Sequence, residues 1–294
     1  MKVVSAPTAL PAAVSAGWGV RSVFNGWLWL ILLLIQLQAG AQPLARDIPL
    51  NSGETAYYDI YFKWGILMSH AGEGVFSFSP ATYQGREAFS YRLVFRSNGI
   101  IESIYRMRDT INCYYSTDYS LIHSAKHTNE GGYYLIDELT FTRTNGRTLV
   151  HSRRYTPDKV KIDTTLTVAS GSVSDMLGSI FFLRTLDWER LETDRTFPLS
   201  VAVGRDVVKA VFRYQGEALV KHGKVTYNTH HFLIDISDEA FTQTKSAAEL
   251  WVGNDENHLP IKVRSKLKVG YAEVMFNHAT QLKAPMNCVV KTEK

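Results

Sequence analysis

Cysteine is nearly absent. Two among 294 residues exclude a disulfide-rich scaffold and any four-cysteine zinc or iron–sulfur cage. Acid is missing altogether from the first 46 residues, which also hold the only long apolar run in the chain. No segment rich in proline, glycine or serine marks a linker, and no internal repeat of fixed period appears, which argues against propellers and solenoids. Net charge is small, +4, too little to imply a nucleic-acid partner. What remains is an ordinary folded composition: 45% apolar, 20% charged and unusually aromatic, with 35 Phe, Tyr and Trp residues.

The apolar run extends from Trp27 to Leu37 and is preceded by Lys2 and Arg21. It matches the h-region of a signal peptide and falls short of the roughly 20 residues of a membrane-spanning helix. Ala39-Gly40-Ala41 supplies the small-x-small cleavage signature, so residues 1–41 are expected to be a leader, with cleavage between Ala41 and Gln42. An uncleaved N-terminal anchor is the alternative. Removing 1–41 takes away Lys2 and Arg21 and no acid, lowering the net charge from +4 to +2. Export points to the periplasm, with membrane contact at most peripheral and the inner face of the outer membrane as the expected place for it. There Cys113 and Cys288 are the candidates for a disulfide worth on the order of 4–5 kcal/mol by loop entropy; two buried free thiols are the other reading.

From residue 42 the dominant period is two. Ala56, Tyr58, Ile60 and Phe62 alternate with Tyr57, Asp59, Tyr61 and Lys63, and Phe89, Tyr91, Leu93 and Phe95 alternate with polar residues likewise. Met107, Ile111 and Cys113 form a third set. Asn145-Gly146 between apolar runs is a strong hairpin signal, and Gly204-Arg205-Asp206 breaks another pair. Phe232, Ile234 and Ile236, then Leu250 and Val252, then Ile261, Val263 and Leu267 continue the pattern. One segment reads as a helix, about 172–187: Ser172 and Asp175 have capping-box spacing, and Val173, Met176, Leu177, Ile180, Phe181 and Arg184 follow at helical intervals. The expected architecture is a mainly β single domain over 42–294, with strands in 50–170 and 195–282 on either side of that helix. The aromatic excess favours one strongly curved antiparallel sheet, barrel-like, over the alternative of a β-sandwich.

Searches for chemistry fail. Gly171-Ser172-Val173-Ser174 and Gly178-Ser179-Ile180 lack the second glycine of a nucleophile elbow, and Gly72-Glu73-Gly74 lacks the lysine of a phosphate loop. Among nine histidines, His123 and His127 have helical spacing in a polar stretch, and the adjacent His230 and His231 point to opposite faces of a strand. No catalytic residue, metal site or cofactor is expected. Lys262, Arg264, Lys266 and Lys268 alternate with apolar residues, so all four cations share one face of a strand. That row reads either as a solvated face guarding against edge pairing or as a surface for an anionic partner such as lipid head groups or polysaccharide.

Three motifs together resemble an exported family known as domain of unknown function 3108. They are Gly53-Glu54-Thr55-Ala56-Tyr57-Tyr58 running to Ala71-Gly72, the helix segment Asp175-Met176-Leu177 with Phe181-Phe182-Leu183-Arg184, and Glu249-Leu250-Trp251-Val252 leading through Asn254-Asp255 to His258-Leu259-Pro260-Ile261. The resemblance covers nearly all of 50–282. It implies an envelope protein of Gram-negative bacteria with an antiparallel β fold and carries over no activity. The function expected is non-enzymatic binding of an apolar or lipid-like ligand. The alternatives are an assembly partner of an outer-membrane or surface-glycan system, and a hydrolase whose site is scattered over distant strands. An envelope protein is the other expected partner.

Overall fold

The computed structural model describes residues 48–293 apart from Tyr105, Ser170, Glu189, Arg190, Glu239, Ala240, Lys268 and Val269. The expected leader, with Ala39, Ala41 and Gln42, lies outside the described residues.

The first half is a meander: β1 (Thr55–Trp64), β2 (Leu67–Tyr83), β3 (Arg86–Ser97), β4 (Arg108–Tyr115), β5 (Leu121–Glu130), β6 (Tyr133–Thr144), β7 (Arg147–Thr156) and β8 (Lys159–Val168), with a short helix α1 (Gly99–Ile104) between β3 and β4. After β9 (Val173–Ser174) comes the central helix α2 (Met176–Arg184). A second meander follows: β10 (Thr196–Val203), β11 (Asp206–His222), β12 (Val225–Asp238), β13 (Phe241–Gly253), β14 (Pro260–Lys266) and β15 (Tyr271–Thr280). A last strand, β16 (Val289–Thr292), pairs with the end of β12.

Both meanders belong to one sheet, because β1 pairs antiparallel with β15 along its length, Thr55 opposite Thr280 through Lys63 opposite Tyr271. Every pairing is antiparallel except β9 with β10. The path ends at β8 and β9, and the two ends approach each other: Ser152 Oγ donates to the Gly204 carbonyl at 2.6 Å, and Arg205 Nη2 donates to the Lys161 carbonyl at 3.3 Å. The result is a nearly closed barrel-like sheet, as the period-two pattern and aromatic content predict, and the sandwich is not formed. Asn145 and Gly146 both have positive φ in the turn between β6 and β7, the geometry that makes this dipeptide a hairpin signal.

A helix buried on both sides must be apolar on both sides. α2 meets that demand: Leu177 and Phe181 join a cluster with Phe78, Tyr91, Tyr115, Leu139 and Val150 from the first meander. Phe182 and Leu183 join another with Phe197, Phe212, Phe232 and Leu250 from the second. A third cluster holds Tyr58, Tyr227, Ile261 and Phe276 near the β1–β15 junction. The helix starts later than its spacing suggests. Asp175, not Ser172, is the N-cap, and Val173 and Ser174 are drawn into β9 opposite Ser200 and Val201. It also ends earlier, at Arg184, where the Thr185 amide turns back to Phe182. The short α1 carries no signal that the periodicity reveals.

A candidate ligand cleft beside the central helix

Two buried charged groups fix where α2 lies. At its start, the Asp175 carboxylate accepts the Gly178 amide at 2.7 Å, the Ser124 hydroxyl at 2.5 Å and the Cys113 thiol at 3.3 Å. One side chain therefore caps the helix and ties it to β4 and β5. Burial pushes the Cys113 thiol up, and the neighbouring carboxylate pushes it further. No imidazole or amine stands between carboxylate and thiol, as nucleophilic triads require, so this cluster holds its proton and serves as structure.

At the other end Arg184, 1% exposed, faces Glu54, 3% exposed. Its Nη1 lies 2.5 Å and its Nη2 3.1 Å from the two carboxylate oxygens, while Nε and Nη2 donate to the Asn257 carbonyl at 3.2 and 2.8 Å and Nη2 to the Pro49 carbonyl at 3.1 Å. Burial works against the guanidinium's charge, but Glu54 overrides it and raises its affinity for the proton. Arg184 thus joins the three motifs of the sequence: the Gly53-Glu54 opening, the helix, and the turn before Leu259-Pro260. Sequence reading placed each motif as local structure and missed the bond between them, since Glu54 and Arg184 lie 130 positions apart.

Between α2 and the turn joining β4 to β5 opens a cleft of about 490 Å³, within the range of small-molecule sites. Leu50, Tyr115, Leu121, Phe181, Phe182 and Leu199 supply its apolar walls. Tyr115 and Phe181 stack at 4.1 Å. Tyr119 sits in the left-handed region at φ 60°, an unusual conformation for an aromatic residue, and its ring lies flat on Phe89 at 5.1 Å. The turn holding it is tied down by Asp118, which accepts from the Ser120 amide and from the hydroxyls of Ser116 and Ser120. Those bonds, Ser116's first, hold the Asp118 carboxyl below its ordinary range. Arg143 donates to Ser120 Oγ at 2.7 Å and Lys283 to the Ile48 carbonyl at 2.9 Å, so two cations and one carboxylate also line the cleft. Such a site suits a molecule with an apolar body and a polar end. No local spacing could have revealed it, because its walls come from six separate segments.

The residues singled out in the sequence have other fates. Lys262 and Arg264 share a face of β14, as alternation requires, but both are neutralised: Glu273 lies 3.5 Å from Lys262 and 2.7 Å from Arg264, with Glu249 at 3.7 Å from Arg264. The Trp251 ring lies beneath both cations, at 5.2 and 5.8 Å. Lys266 is exposed, and Lys268 lies outside the described residues. Cys113 and Cys288 are free, buried thiols in different clusters, so the structure forms no bridge between them. Cys113 packs against Asp175, whereas Cys288 lies under Gly253 beside Asp255. His123 and His127 fall on β5, a strand, with separate partners, Thr140 and Tyr134. His230 bonds Tyr214 and His231 bonds Glu249, on opposite faces. Among the described residues no group of His, Cys, Asp and Glu has the geometry of a metal site, and no helix is long and apolar enough to cross a membrane.

The fold and cleft define a barrel-like β protein with a helix through its interior. A solved structure has a similar barrel-like fold: the beta-barrel-like protein of domain of unknown function DUF1849 from Brucella abortus, at TM-score 0.54 and 11% identity, covering 81% of this chain and all of that one. The chain itself belongs to the family described as protein of unknown function, DUF3108, which matches residues 57–277, about three quarters of its length. A candidate lipoprotein from Parabacteroides distasonis is more distant, at TM-score 0.33 and 6% identity over 81% of this chain and all of that one. No curated protein matches.

Proposed function

We propose that this chain is an exported, non-enzymatic binding protein that holds an amphiphilic, lipid-like ligand in the cleft beside α2. The observation that carries the reading is the cleft itself: about 490 Å³ walled by Leu, Phe and Tyr side chains, with Arg143 and Lys283 beside them. The apolar run 27–37 and Ala39-Gly40-Ala41 support export, and the periplasm is the compartment where apolar molecules need a protein to cross water. The helix is a fixed wall of this site, held at one end by Asp175 and at the other by Arg184, so the cleft is preformed and little ordering opposes binding.

Protein stripped of bound lipid and then exposed to an envelope lipid extract tests it by native mass spectrometry. One lipid taken up per chain is expected, and uptake should fall at least tenfold in Leu121→Trp, which fills the cleft from β5. A chain that takes up nothing refutes the proposal. So does a Leu121→Trp variant of unchanged melting temperature that binds as wild type, since the lipid would then lie elsewhere.

A further inference from the structure

Hairpin turns favour glycine, asparagine, aspartate and proline, each for a backbone reason, and solvent favours polar groups there. Six of the seven two-residue turns whose residues are described obey this: Gln84-Gly85, Gly131-Gly132, Asn145-Gly146, Pro157-Asp158, Gly204-Arg205 and Gly223-Lys224. The seventh, Gly65-Ile66 between β1 and β2, does not. Gly65, at φ 58°, satisfies the backbone, yet Ile66 is 98% exposed and is followed by Leu67 at 69% and Met68 at 50%. Three consecutive apolar side chains stand in water at the tip of one hairpin.

The neighbouring tip repeats the pattern. Lys63 of β1 and Lys266 of β14 both pair with Tyr271 of β15, so the β1–β2 and β14–β15 turns emerge side by side at the same end of the sheet. Leu267 is 46% exposed on that second turn, and Tyr271 is also exposed. The pairing therefore sets two lysines and a tyrosine in one row, with Met68 beside Lys63 in it and Ile66, Leu67 and Leu267 projecting beyond it. Apolar tips above a row of cations and an amphipathic ring match the layering of an anionic membrane surface: acyl chains, then the interface, then phosphate.

We propose that this end of the sheet docks on an anionic lipid bilayer, with Ile66 and Leu67 inserted among the acyl chains and Lys63 and Lys266 at the phosphates. The inference stands apart from the cleft, since it concerns a surface rather than a bound molecule. The contact is peripheral and needs none of the charges that Glu249 and Glu273 already neutralise.

Both native thiols are buried, so a single cysteine introduced at an exposed position takes a label selectively. An environment-sensitive dye on Leu67→Cys, in the full chain, should shift to the blue and be quenched by nitroxide-bearing lipids in vesicles of phosphatidylethanolamine and phosphatidylglycerol. The same dye on Glu87→Cys, an exposed position beside the β2–β3 turn at the far end of β2, should do neither. Binding read at position 67 should weaken at least about tenfold on phosphatidylcholine vesicles and in the Lys63→Glu/Lys266→Glu chain. Ile66→Asn, a better turn former that leaves folding unharmed, should reduce the quenching. The proposal is overturned if position 67 is not quenched, if positions 67 and 87 respond alike, or if the dye at 67 is shielded without lipid by association of two chains. Lipid uptake into the cleft, measured separately, decides the other question.

Discussion

Replacing Glu54 by Gln leaves the Arg184 guanidinium buried beside a neutral amide, with the Pro49 and Asn257 carbonyls as its remaining partners. Removing one member of a buried ion pair typically costs 3–5 kcal/mol, because the survivor keeps its desolvation cost without its counter-charge. Arg184→Met should cost more. It strands the Glu54 carboxylate and also deprives two buried carbonyls of their donor, each worth about 1–3 kcal/mol. For a domain of this size 4 kcal/mol lowers the melting temperature by about 8–16 °C. Arg184→Lys keeps the charge but loses the fork that reaches Glu54 and Asn257 together, and should fall between wild type and Arg184→Met. In the Glu54→Gln/Arg184→Met double variant neither charge of the pair is left buried. Its loss should therefore be smaller than the sum of the singles by at least about 2 kcal/mol, yet remain real because the carbonyls stay orphaned. Urea unfolding followed by tryptophan fluorescence measures all five proteins. Additive losses within about 0.5 kcal/mol, or a Glu54→Gln cost below about 1 kcal/mol, would refute the latch.

Other outcomes follow from single contacts. His258 stacks on Trp188 at 4.4 Å, and burial holds its pKa down to about 4 against an ordinary 6.5. The unfolded chain therefore takes up a proton at this residue that the folded one refuses: the contribution of His258 to stability is complete above about pH 6.5, falls by roughly 3 kcal/mol as the pH drops to 4, and levels below. Urea midpoints across that range check it, and His258→Asn, which tolerates the residue's positive φ of 46°, should flatten the slope. Gly178→Ala would normally favour a helix, but here the added methyl collides with Ser174 Oγ and lies 2.8 Å from the Tyr115 hydroxyl, so a loss of about 1–3 kcal/mol is expected by thermal melting. Cys113 and Cys288 should resist thiol reagents in the native state and react as two free thiols once the unpurged, unreduced protein is unfolded; a single oxidised species two hydrogens lighter would contradict the separate placement.

The strands were legible because alternation is a local property: Tyr58, Tyr91 and Cys113 point inward for the reason their neighbours point out. Turn chemistry was equally plain at Asn145-Gly146. The helix could be found but not bounded, since Ser172 and Asp175 both make acceptable caps and the choice was made by β10, which claims Val173 and Ser174. Lys262 and Arg264 were correctly placed on one face. Their neutralisation could not be seen, because Glu249 and Glu273 come from the two flanking strands and only register brings them opposite Arg264. The cleft was least visible of all. Leu50, Tyr115, Arg143, Phe181 and Lys283 have no common spacing, and meet only because the sheet curls round the helix.

The pairing of β1 with β15 has a consequence in time. A ribosome delivers Thr55 more than two hundred residues before Thr280, its partner across the seam. Until the last third of the chain arrives, β1 presents an open edge of unpaired amides and carbonyls beside the growing meander, the kind of edge to which other strands add. Contacts of such separation also slow folding, since their loop closure must be completed before they stabilise anything. Circular permutation with a new start before Tyr271 would place β15 ahead of β1, separated only by β16 and the joined ends, and should hasten folding and curb aggregation during it.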